Sequence, residues 1–390
     1  MAADGVLGGI KVVDLSEQVP GPYATRLLAG LGADVVKVER PGSGDPLRDR
    51  PFMFESQNRG KRDLCLDLKS PDGREALLRL VAQADVFVEG YRPGVTDRLG
   101  VGFADLVKVN PKIIYASISG FGSSGPYRDR PGHDFQYLAF VGGIPAPEAY
   151  FAADYVPTSL PAADMGASVF AILSIVLALH ERSRDPEAFT ARHLDIGMSD
   201  CTLALMEPRI AEALSEPTSA AALVRPGYGV YRTEDDRYVS IGALEDHFWN
   251  RMTATLGLDE LSGERYATWQ LRRQHIAELE GPLRDRVATF TRDELLRLLL
   301  DADVPVAPVN DLHEAADDPH ARARGMVYDV PGGDWSRIAE WPVALDGFAT
   351  RERLTPTPQI GQHTREVLRE CGLSDAALDS LVATGAIQQA

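Results

Sequence analysis

The chain has 390 residues, 44% hydrophobic and 25% charged, an ordinary globular composition with length for two to three domains. Forty Lys and Arg against 57 Asp and Glu leave a net charge of −17, which argues against a nucleic-acid or anionic-membrane surface. Three cysteines, Cys65, Cys201 and Cys371, show no C-x-x-C spacing and exclude a disulfide framework or zinc ribbon.

Ile10 to Leu15 (IKVVDL) reads as a buried strand, and Pro22 to Leu31 as a helix with Pro in its first turn and Gly32 past its end. Strands are expected again at Asp34 to Glu39, Leu64 to Leu68, Asp85 to Glu89 and Ile113 to Ser119, with a helix over Gly73 to Ala84. Continuous apolar strands alternating with helices predict a parallel sheet covered on both faces, an α/β fold. A helix from about Asp164 to Arg182 is apolar around most of its circumference and is expected to be buried. Residues 1–208 thus read as a large α/β domain, and 209–228, rich in Ala, Ser and Pro, as a linker. A strand at Arg237 to Ile241 and amphipathic helices such as Arg292 to Leu300 make 229–330 a smaller α+β domain. Residues 331–390 are a Pro-rich tail ending in a helix near Thr364 to Cys371. The longest apolar run, Val169 to Leu179, is too short for a bilayer span, and the N-terminus shows no secretory pattern. Gln388-Gln389-Ala390 match no peroxisomal or retention address, so a cytoplasmic protein without membrane association is expected.

A dinucleotide finger is absent from the turn after the first strand, Ser16 to Pro22. Gly120, Gly122 and Gly125 spell G-x-G-x-x-G, but Pro126 follows and no helix can open there, so this is a plain glycine loop. Neither a G-x-S-x-G elbow nor a P-loop occurs. Between Lys37 and Arg62 stand seven basic residues (Lys37, Arg40, Arg48, Arg50, Arg59, Lys61, Arg62) among four acids (Glu39, Asp45, Asp49, Glu55). That excess suits a confined anion, with a solvated loop as the alternative. His133, in Pro-Gly-His-Asp-Phe, follows the glycine loop beyond a strand, where ligands of open α/β sheets bind. Asp164 opens the long helix as either an N-cap or a catalytic carboxyl, and Glu245 alone would pass for a first-turn glutamate.

Taken together, VPGPYATRLLAGLGADVVKVERPGSGD, NRGKRDLCLDLK, ADVFVEGYRPGVTDRLGVG, NPKIIYASISGFGSSGPY, GHDFQYLAFVGG, AADMGAS, VYRTEDDRYVSIGALEDHFW, LDGFATRERLT and GQHTREVLRECGLSD resemble the family III CoA-transferases along nearly the whole chain. Within them the chain is most similar to the α-methylacyl-CoA racemase branch, because Gly132-His133-Asp134 carries histidine where transferases tend to have tyrosine. The resemblance implies a Rossmann-like large domain, an inserted small domain, a C-terminal tail returning to the large domain, and an interlocked homodimer. It implies an acyl-CoA substrate and no metal or redox cofactor. CoA contacts would fall to Arg40, Leu66, Lys69, Gly90, Arg92 and Arg98, with Asp134 and Tyr137 flanking the thioester. Racemases exchange protons with the α-carbon through the residues matching His133 and Asp164, with the match of Glu245 supporting the histidine from the partner chain. In transferases the match of Asp164 is instead a nucleophile that forms a mixed anhydride.

Inversion needs two acid–base groups across one carbon, one protonated while the other is not. Burial that raises the carboxyl pKa toward that of imidazole would fit Asp164 to that role. The intervening enolate needs donors at its oxygen, for which the N-terminus of the Asp164 helix is expected to serve. The Gly143 to Ser159 loop and Asp246-His247 depart from the family pattern, and the loop is expected to bear on acyl preference.

Overall fold

β-branched runs become strands here because they pack well on a pleated surface buried on both sides. The computed structural model describes residues 5–144, 160–215, 225–329, 336–339, 341–343 and 355–390. The strands β1 (Lys11–Leu15), β2 (Asp34–Glu39), β3 (Arg62–Leu66), β4 (Val86–Glu89), β5 (Ile114–Ser119) and β6 (Arg192–Gly197) pair in parallel. Between them run α1 (Pro20–Gly30), α2 (Pro51–Asn58), α3 (Pro71–Val81), α4 (Val95–Leu99), α5 (Phe103–Val109), α6 (Asp134–Phe140) and α7 (Ala162–Arg184), and α8 (Met198–Leu205) follows β6. Pro at the start of α1, α2 and α3 suits a position whose N–H has no helical partner.

The described residues divide into two units, one holding those up to 144, from 160 to 209 and from 325 onward, the other those from 210 to 324. α9 (Glu207–Ser215) is helical where a linker was expected, because Ile210, Ala211, Ala213 and Leu214 are good helix formers once the preceding turn is set. In the second unit β7 (Tyr228–Arg232), β8 (Tyr238–Gly242) and β9 (Val306–Pro308) form an antiparallel sheet. With it go α10 (Asp246–Leu256), α11 (Trp269–Gln274), α12 (Ile276–Val287), α13 (Arg292–Asp301), α14 (Leu312–Asp317) and α15 (Pro319–Ala323). Its core gathers Trp249, Met252, Leu279, Leu283, Leu295 and Leu299. The first unit adds the hairpin β10 (Val327–Asp329) with β11 (Ser336–Ile338), then α16 (Thr364–Glu370), α17 (Asp375–Ala383) and β12 (Ile387–Gln388). β12 pairs antiparallel with β3, completing a seven-stranded sheet ordered β12-β3-β2-β1-β4-β5-β6.

Alternation along the strands sends Val13, Leu15, Val36, Leu64 and Phe87 to one face, against Leu77, Val81, Val367 and Leu368. Val12, Val35, Val88, Ile114 and Ile118 go to the other, against Leu27, Leu28, Ile172 and Ile175 of α1 and α7. Each fully buried Leu or Ile contributes about 1.5–3 kcal/mol. The expectation that the long helix is buried all round fails. Val169, Leu173 and Leu177 are 57%, 51% and 58% exposed, because residues four apart share a helix face and this one points away from the sheet. The 23-residue α7 is long and apolar enough to cross a membrane by length and composition, yet its other face is the cover of the sheet.

Candidate active site

Strand order reverses between β1 and β4, and in open α/β sheets the crevice beyond the strand ends at such a reversal takes the ligand. Ser16 leaves β1 and Gly90 leaves β4 at that point, so close that a Cβ on Gly90 would lie 3.4 Å from the Ser16 Cβ. In the same turn Gln18 holds φ +66°, a left-handed conformation that costs a non-glycine residue. Its backbone N–H donates to both Asp45 carboxylate oxygens at 3.2 Å, which holds it there.

Beyond β5, two helix N-termini are clipped together. His133 is the N-cap of α6 and is exposed, its backbone N–H donating to the Gln136 side-chain carbonyl at 3.0 Å. Asp134 begins α6, and its Oδ1 accepts from the backbone N–H groups of Ala163 (2.7 Å) and Asp164 (3.1 Å) in the first turn of α7. The N-cap of α7 is Pro161, so Asp164 is not the cap: it is the third helical residue, within the first turn, and Asp134 does the capping from outside. The expected role of that helix end as an oxyanion donor is corrected likewise, since Asp134 already occupies those two N–H groups. Burial, then the neighbouring Asp134 charge, pushes the Asp164 carboxyl up to about 7, within reach of imidazole. Tyr137 is buried, and its phenol is raised by burial and then by Asp164. A Cβ on Gly132 would come within 2.7 Å of the Tyr137 ring, and one on Gly120 would strike its hydroxyl, so both glycines make room for this side chain. The residues 120–125 thus act as a glycine loop packed on Tyr137 rather than as a nucleotide finger.

The basic cluster is not the anion site that its count suggested. Lys37 is buried and donates to Asp45 and to the Ser16 carbonyl, both at 2.9 Å. Lys61 is buried on Asp14 at 2.8 Å. Arg48 pairs with Glu39 and Asp63, Arg59 reaches the Ile338 carbonyl at 2.6 Å, and Arg62 binds Asp34, Glu366 and Glu370. Burial would raise Asp14, but Lys61 and Lys37 overcome it and hold the carboxyl at about 2. Arg40, by contrast, is half exposed, donating to Ser43 Oγ at 2.9 Å and lying 3.5 Å from Glu17.

Among the other positions matched to CoA contacts, Lys69, Gly90, Arg92 and Arg98 are exposed. Leu66 is 1% exposed, a core side chain pairing with β12, so only its backbone could meet a ligand. Glu245, in the second unit, is the exposed N-cap of α10 rather than a first-turn residue. The neighbouring Asp246 is explained by an ion pair at 2.8 Å with Arg272, whose side chain is fully buried. The Gly143 to Ser159 loop lies outside the described residues from 145 to 159. Sequence reasoning missed Glu89 at the end of β4, which burial pushes up to about 7 and which accepts from the Tyr91 N–H at 2.8 Å. A lone Glu after an apolar run carries no signal of this. Among the described residues no group of three or more His, Cys, Asp or Glu is placed to hold a metal ion.

Succinyl-CoA–D-citramalate CoA-transferase of Chloroflexus aurantiacus is 33% identical over 395 residues, covering 97% of each chain. Human α-methylacyl-CoA racemase is 33% identical over 377 residues, covering 94% of each. The crystal structure of a CaiB/BaiF family protein from Brucella suis superposes with a TM-score of 0.80 at 29% identity, covering 94% of this chain and 100% of that one. The sequence profile of CoA-transferase family III matches residues 7–364, and the chain belongs to that family.

Proposed function

We propose that this protein inverts the α-carbon of a 2-methylacyl-CoA thioester, with His133 and Asp164 as the two acid–base groups. The observation that carries the reading is the pair of joined helix N-termini, one bearing an exposed imidazole, the other a carboxyl raised to about 7. One group takes the α-proton, the C–H electron pair moves into the enolate, and the other group returns a proton to the opposite face. A carboxyl raised to about 7 can hold or release the proton near neutral pH, which one at its ordinary 3.8 could not. Binding of the nucleotide end of CoA holds the small reacting carbon in place. The reaction calls for no resident metal or redox cofactor. Self-association as an interlocked homodimer, with Glu245 supplied across it to orient His133, belongs to the same reading. The exposed stripe Val169, Leu173 and Leu177 on α7 supports such an interface.

A second reading, CoA transfer between carboxylic acids through an anhydride at Asp164, is favoured by the Chloroflexus relative, which is named for transfer. Incubation with a 2-methylacyl-CoA in D₂O without a second acid separates the two. Deuterium at the α-carbon, abolished in His133→Ala with CoA binding retained, is the expected result. No exchange, but acyl transfer once a free carboxylic acid is added, would overturn the racemase reading in favour of the transferase.

A further inference from the structure

Two guanidinium groups meet over the turn that opens α4. Arg98 Nη1, from α4, and Arg128 Nη2, from the loop before α6, each lie 3.5 Å from the point where a Cβ on Gly94 would stand. The two nitrogens are therefore at most about 7 Å apart. Like charges this close repel unless an anion sits between them. The carboxylate beside Arg128 is the adjacent Asp129, 3.4 Å from Nη1, with the two side chains 39% and 80% exposed, a solvent-screened contact of little worth. Asp97, the neighbour of Arg98 in α4, has its carboxylate against Gly102. Gly94 itself has φ +83° and presents no side chain, so the space between the arginines stays open.

We propose that Arg98 and Arg128 form a clamp for the 3′-phosphate of CoA, which makes Arg128, a residue no motif singled out, part of the substrate site. The inference rests on the acyl-CoA reading and adds to it the group that Arg128 grips. A phosphate monoester carries about −2 at neutral pH and three terminal oxygens, matching two guanidiniums. With N···O distances of about 2.8 Å it bridges two nitrogens at this spacing. The pyrophosphate carries the same total charge, but spread over two phosphorus atoms with two terminal oxygens each, so neither offers the double charge and three terminal oxygens of the monoester.

Calorimetric titration of the full chain with CoA and with 3′-dephospho-CoA tests it. The unaltered protein should prefer CoA by on the order of tenfold or more, and Arg128→Ala should bring that ratio close to one while binding dephospho-CoA as before. Arg128→Lys, which keeps the charge and loses the fork, should restore part of the preference. An unchanged ratio in Arg128→Ala, or equal binding of both ligands by the unaltered protein, overturns the clamp and leaves the acyl-CoA reading standing. Failure of the unaltered protein to bind either ligand overturns that reading, and the clamp with it.

Discussion

Asp164→Asn is expected to end turnover and to stabilise the folded protein at alkaline pH. The folded carboxyl sits at about 7 against an ordinary 3.8, raised first by burial and then by Asp134. Between those values the folded chain keeps a proton that the unfolded chain has released, so stability falls as pH rises. A difference of about 3 in pKa, at about 1.36 kcal/mol each, makes the full loss about 4 kcal/mol above pH 7. Asp164 is partly exposed, and solvent screening reduces this to about 2 kcal/mol. Asn has the same outline and no charge, and escapes the loss. Urea unfolding at pH 4, 6 and 8.5 should therefore show the two proteins nearly level in acid, with Asn ahead by about 2 kcal/mol at pH 8.5. A gap independent of pH, or one favouring Asp at pH 8.5, would refute the assignment of a proton to this group.

Two further substitutions probe the scaffold around the site. Asp14→Asn leaves Lys61, whose side chain is 0% exposed, without its counter-charge and should cost about 3–5 kcal/mol in urea unfolding; Lys61→Met in the same chain should recover most of it. Gly132→Ala drives a methyl to 2.7 Å from the Tyr137 ring and should cost about 1–3 kcal/mol, a loss relieved by adding Tyr137→Leu, both read from the thermal midpoint.

Strands such as β1, β2 and β5 were legible because they are short runs rich in β-branched residues and bounded by turn residues, while β3, Arg-Asp-Leu-Cys-Leu, was marked only by its buried leucines. Their partners were partly legible, since helices between parallel strands force the crossovers. The antiparallel β12 was not, for two paired residues at the chain's end make no pattern. The exposed stripe of α7 was hidden for a different reason: composition tells how apolar a helix is, and here the apolar residues outnumber those the sheet can cover. Charge counting failed most plainly. A window from Lys37 to Arg62 omits Asp14, Asp34 and Asp63, which lie outside it in sequence and against it in space. Arg62 alone reaches 308 residues along the chain to Glu370. Long-range pairing converts an apparent anion site into a buried framework that shapes the turn after β1.

Asp134 links the legible part of the site to the part that was not. As the residue after His133 it was found with the motif, but its work is done on a helix that begins 28 residues later. A free helix N-terminus would stabilise the Asp164 anion and lower its pKa, because the N–H dipoles point that way. Asp134 fills two of those N–H groups with its own carboxylate. The helix end thereby turns from a source of positive potential into a neutralised one, and the remaining negative charge pushes Asp164 upward. The same two hydrogen bonds thus set the distance between the α6 and α7 ends and help set the proton affinity of the carboxyl between them. On the racemase reading, an enolate oxygen would have to find its donors elsewhere, because these two N–H groups are already taken.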